Sequence, residues 1–77
     1  MNTSSKQTTI NGTTKISDRE KEVLVLAAEG YSHKEIAQRL YVTKDTIDSH
    51  SRSIVAKLNA RNMKQAIAVG IRTGIIE

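Results

Sequence analysis

Residues 32–58 read SHKEIAQRLYVTKDTIDSHSRSIVAKL, and this stretch decides the fold. Ser32 followed three residues later by Glu35 is a capping box, in which each side chain bonds the other's backbone N–H. It opens a short helix from His33 to Leu40, with Ile36, Ala37 and Leu40 on one face. Leu40, Tyr41 and Val42 lead into Thr43, a second N-cap, and a longer helix runs from there to about Leu58. Two helices joined by a three-residue turn form the helix-turn-helix layout. The small residue Ala37 sits where the two helices must approach closely. Val42 can plug the space between them, and Ile47 packs back on Ala37.

The flanks complete the domain. On the N-terminal side, Ser17 and Glu20 make another capping box, and Asp18, Glu20 and Glu22 crowd a first turn where the helix dipole favours anions. Glu20, Val23, Leu24, Ala27 and Ala28 follow at helical spacing, with Leu26 beside them, and Gly30 supplies a left-handed end. Arg19, Glu20 and Glu22 read as a solvated, ion-paired first helix. Tyr31 and Tyr41 read as amphipathic packing residues at helix junctions. On the C-terminal side, Asn59-Ala60-Arg61 breaks the chain. Asn62 with Gln65 caps a fourth helix to about Thr73, and Gly74 closes it. In that helix Met63, Ala66, Ile67, Gly70 and Ile71 form a stripe that can seal the core. No strand candidate and no internal repeat is present. The expectation is an all-α four-helix bundle containing a helix-turn-helix over residues 16–77. Residues 1–15, MNTSSKQTTINGTTK, hold only Met1 and Ile10 as apolar residues and are expected to be a flexible tail or linker.

Composition excludes several classes. The 77 residues contain no Cys, hence no disulfide and no thiolate zinc site. Without Phe or Trp, a base-stacking single-strand surface is not expected. No apolar run approaches the roughly 20 residues of a membrane span. The N-terminus lacks a secretory layout, so a cytoplasmic location is the expectation, with no membrane partner. His33 and His50 fall on different helices, so no metal site is expected. There are no paired carboxylates, no nucleophile–base pair and no Gly-rich phosphate loop. Binding without catalysis, cofactor or small-molecule ligand follows.

The third helix carries the functional signal. At 3.6 residues per turn, Ile47, Ser51, Ile54, Val55 and Leu58 fall on one buried stripe. Asp45, Asp48, Ser49, Arg52 and Ala56 lie opposite. This outer face has no large apolar residue and is a poor protein hot spot. Donors and acceptors on the N-terminal half of such a helix are what reach base edges in a major groove. The guanidinium fork of Arg52 fits guanine O6 and N7. Asp48 either accepts from a cytosine amino group or orients Arg52 through an i, i+4 ion pair. The placement of charge agrees. The net charge is +4, but Lys6 and Lys15 supply half of it, whereas residues 50–64 carry Arg52, Lys57, Arg61 and Lys64 with no acid. The alternative is a helical interaction module that binds another regulator or RNA polymerase. A sigma-factor region-four module shares the layout, but the capped fourth helix argues against it.

The stretch from Ile16 to Ile76 resembles the LuxR-type (GerE, NarL-like) helix-turn-helix domain. The resemblance rests on Ile16-Ser17-x-Arg19-Glu20-x-Glu22-Val23-Leu24 and on Ala28-x-Gly30-x-Ser32-x-Lys34-Glu35-Ile36-Ala37-x-x-Leu40. It continues through Val42-Thr43-x-x-Thr46-Ile47-x-x-His50, Ile54-x-x-Lys57-Leu58, Gln65-Ala66 and Gly74-Ile75-Ile76. It implies a bacterial transcription regulator's output domain that binds double-stranded DNA, with the second helix as scaffold and the third as reader. By position, Asp48, Ser49 and Arg52 would face bases. Ser32, His33, Lys34, Thr43, Lys44, Thr46, His50 and Lys57 would lie along phosphates. His50 reads equally as a boundary residue of the buried stripe. The fourth helix would serve a weak homodimer through Ala68, Val69 and Arg72, tightened on adjacent half-sites. RNA polymerase is a further expected partner of such a regulator. The pattern departs at Asp48, where many members carry Lys or Arg. Aspartate there cannot bind phosphate, so a relative's target sequence does not transfer.

Overall fold

The computed structural model describes residues 15–77. The expected tail therefore lies outside the described residues, apart from Lys15. Four α-helices follow in order, α1 Asp18–Ala28, α2 His33–Leu40, α3 Lys44–Lys57 and α4 Met63–Arg72, and the described residues contain no strand. Each begins at a cap legible in the sequence. The Ser17 and Ser32 hydroxyls accept from the N–H groups of Glu20 and Glu35, and both glutamates return a bond to the cap backbone. The Thr43 side chain accepts from Thr46 N–H, and the Asn62 side chain from Gln65 N–H. Each such cap contributes about 1 kcal/mol.

The helix ends turn by left-handed residues. Gly30 (φ 98°) and Gly74 (φ 79°) adopt this conformation without steric cost. Past Gly74 the chain doubles back, Ile76 N–H donates to Gly70 O at 3.1 Å, and Ile76 is buried. Gly70 lets these side chains pack closely on α4. A Cβ there would stand 3.0 Å from Leu24 Cδ2 and 3.3 Å from Ile76 Cγ1. Gly70 thus belongs to the core, and the outer surface of α4 is left to its other residues.

The core is small. Val23 and Leu24 of α1, Ile36 and Ala37 of α2, Ile47 and Ile54 of α3, and Ala66 of α4 are all buried together with Ile76. Ile47 and Ile54 are fully inaccessible, as the spacing on the third helix predicts. Val42 is half-buried against this cluster, and its N–H bonds Ala37 O at 3.0 Å, which closes the turn between α2 and α3.

Three expectations are corrected. Ile71 is 53% exposed instead of sealing the core, because the face of α4 centred on Ala66 and Gly70 meets α1 and leaves Ile71 on the flank. Tyr41 is 94% exposed rather than packed. It is the left-handed cap of α2 (φ 59°), and that conformation turns its ring to solvent. Glu20 is not solvated but 5% exposed, in an ion pair with Lys57 of α3. Tyr31 does pack at its junction. The Arg39 guanidinium lies 4.0 Å over its ring and donates to its hydroxyl at 2.7 Å.

Candidate nucleic-acid interface

The outer face of α3 is built by the same spacing that buries its inner face. With Ile47, Ser51 and Ile54 buried, Asp45, Ser49, Arg52 and Ala56 are left exposed. Arg52 enters no ion pair among the described residues, so its fork is free to meet a partner. The start of α2 flanks this face. Ser32 and Lys34 are exposed and His33 is half-buried. Thr43 and Lys44, at the start of α3, are exposed as well. Thr46 and His50 are half-buried, and the Thr43 and Thr46 hydroxyls bond each other at 3.0 Å.

Asp48 is half-buried and tied from two helices. His33 Nδ1 lies 2.7 Å from Asp48 Oδ1, and Lys44 Nζ donates to Oδ2 at 3.0 Å. The hydrogen bonds from His33 and Lys44, in that order, hold the Asp48 carboxyl below its usual range despite some desolvation. Of the two roles read for Asp48 in the sequence, the ion pair with Arg52 is not formed. Lys44, one turn earlier, takes its place.

Lys57 is drawn out of the expected phosphate row. Its ammonium donates to Glu20 Oε1 at 2.8 Å, and Ser53 Oγ donates to Oε2 at 2.6 Å. Ser17 N–H bonds Oε1 at 2.9 Å. Burial pushes the Glu20 carboxyl up. The Lys57, Ser17 and Ser53 hydrogen bonds and the Lys57 charge outweigh it and bring the carboxyl from 4.5 down to about 2. This network fastens α1 to the C-terminal half of α3 and so fixes how α3 projects from the bundle.

Neither pairing has a local sequence signature. Glu20 and Lys57 are 37 residues apart, and His33 and Asp48 are 15 apart. The one available hint was Glu20 itself, which falls at helical spacing with the apolar residues Val23, Leu24 and Ala27. On α4, Ala68 and Arg72 are exposed and Val69 is half-buried, with exposed Ile71 beside Arg72.

A capped helix-turn-helix that buries one face of its third helix and leaves the other polar has the form of a DNA-binding domain. The chain belongs to the luxR family of bacterial regulatory proteins, whose model matches residues 14–69. Among its relatives, the oxygen regulatory protein NreC of Staphylococcus epidermidis is 34% identical over 62 residues, which cover 80% of this chain and 28% of that protein. The transcriptional regulatory protein LnrK of Bacillus subtilis is 38% identical over 60 residues, covering 78% of this chain and 27% of LnrK. The chain spans less than three tenths of the length of these curated relatives. The family is one of transcription regulators whose helix-turn-helix domains bind DNA. No helix among the described residues is long and apolar enough to cross a membrane.

Proposed function

We propose that this chain is the sequence-specific, double-stranded-DNA-binding output domain of a transcription regulator, with α3 in the major groove. The observation that carries the reading is the unpacked polar face of α3, with Arg52 at its centre in no ion pair among the described residues. Asp48, Ser49 and Arg52 face bases. Ser32, His33, Lys34, Thr43, Lys44, Thr46 and His50 line the phosphates. Lys57 is assigned to the Glu20 network instead, because its ammonium is held against a buried carboxylate and its side chain is only 26% exposed, whereas Lys44 keeps 60% and can reach a phosphate.

Arg52→Ala is expected to cost about 1–3 kcal/mol in binding and to relax preference at one base pair, as loss of a bidentate guanine contact does. Competition binding with single-base variants of a selected duplex checks it. Uniform weakening across all sequences would make Arg52 a phosphate contact.

The exposed edge of α4 supports a weak two-fold contact through Ala68, Val69 and Arg72, with exposed Ile71 adding apolar area. Ala68→Lys should weaken binding to paired half-sites by about tenfold and leave a single half-site unaffected, since it sets a third cation between Lys64 and Arg72 and the two-fold contact brings that cluster against its own copy. Gel-shift titration on one and two half-sites separates these outcomes. An equal effect on both would remove α4 from the contact.

A further inference from the structure

The contacts of Asp48 leave it a single open acceptor. A carboxylate offers about four lone-pair positions. Oδ1 faces both His33 Nδ1 at 2.7 Å and Lys44 Nζ at 3.3 Å, and Oδ2 takes Lys44 Nζ at 3.0 Å. Three positions are filled, and the open one is on Oδ2. The ionised carboxylate only accepts, so the bond at 2.7 Å requires the His33 proton on Nδ1. Arg52 stands four residues beyond Asp48 on the same helix, the spacing at which an acid and a base pair. His33, reaching from α2, and Lys44, one turn earlier, occupy the carboxylate in place of Arg52, which leaves the Arg52 fork unpaired among the described residues and one Asp48 acceptor open.

We infer that His33 is a positioning residue that fixes the Asp48 carboxylate, so that α3 selects a base pair presenting cytosine N4 to the open acceptor. The chemistry is specific. Guanine O6 and N7 and thymine O4 are acceptors and repel a carboxylate, and adenine sets its N7 acceptor beside its amino group. Cytosine alone offers a donor with no acceptor beside it on the same base. The inference rests on the reading of α3 as the base-reading helix and names one base pair that it reads.

The test begins with duplexes selected from a random pool by the wild-type chain. Affinity is then compared between the selected duplex and one with the enriched C·G pair changed to T·A. The wild type should discriminate by about tenfold, the value of one hydrogen bond to a charged group. His33→Ala should reduce that ratio to about twofold or less, and Asp48→Ala should do the same. His33→Asn should restore most of it, because asparagine Nδ2 occupies the place of Nδ1 along the side chain. Circular dichroism melting identifies any variant that fails to fold. Independently of DNA, nitrogen NMR should find His33 Nδ1 protonated in the free wild type. An undiminished ratio in folded His33→Ala, or an unprotonated Nδ1, would overturn the inference while leaving the base-reading role of α3 intact. A wild type that discriminates no base pair would overturn both, and that failure is visible before any variant is made.

Discussion

Glu20→Ala is expected to cost roughly 3 kcal/mol of folding stability. The side chain is 5% exposed and binds Lys57, Ser53 and the Ser17 backbone at once. Its removal leaves an ammonium facing a void, and breaking a buried pair from one side costs about 3–5 kcal/mol. Lys57 keeps 26% exposure and can partly rehydrate, which places the effect at the lower end. A domain this small has only about 3–9 kcal/mol in all. The pH dependence gives a second handle. The folded carboxyl titrates at about 2 against 4.5 when free. Its stabilisation is therefore complete above about pH 4.5 and is lost as pH falls toward 2. The difference corresponds to roughly 3 kcal/mol. Glu20→Gln has no proton to bind, so its stability deficit relative to wild type should shrink across that window. Urea unfolding of both proteins at pH 7, 4.5 and 2.5 measures this. Parallel pH curves would remove Glu20 from the anchor between α1 and α3.

Ile47→Ala is expected to cost about 2–5 kcal/mol, the range for truncating a fully buried isoleucine. Ile47 has no exposed surface and is packed in the core cluster with Ile36 and Ala37 of α2, so the cavity falls inside the helix-turn-helix. Thin cores absorb such losses poorly. At the upper end the domain would be largely unfolded at 37 °C, and DNA binding would fall with the folded fraction. Ile47→Val, which removes one methyl group, should cost about 0.5–1.5 kcal/mol. Denaturant midpoints of the two variants give the comparison. A loss below 1 kcal/mol for alanine would mean that Ile47 does not wedge α2 against α3.

What could be read from the sequence follows from how local each interaction is. The Ser17, Ser32, Thr43 and Asn62 caps all act within three residues, and all four mark helix starts in the structure. The buried stripe of α3 was legible because Ile47 and Ile54 repeat at helical spacing. Tyr41 was misread because its exposure depends on a left-handed φ that a tyrosine does not advertise. Ile71 was misread because periodicity gives a face but not the width of the neighbour that covers it. The His33–Asp48 and Glu20–Lys57 contacts depend on how helices cross, which no spacing within one helix encodes. The outward residues of α3 were legible as a face. The partners that orient Asp48 on it were not.

The outer face of α3 is the surface proposed to read duplex DNA. The most direct measurement is titration of the chain with a duplex selected from a random pool and with a random duplex, from about 50 to 200 mM salt. Lys34 and Lys44 would neutralise about two phosphates per domain, which predicts affinity falling on the order of tenfold over that range for one domain and about a hundredfold for two domains on adjacent half-sites. The selected duplex should stay tighter than the random one at every salt concentration. A flat salt response, with no preference for the selected duplex, would contradict the account.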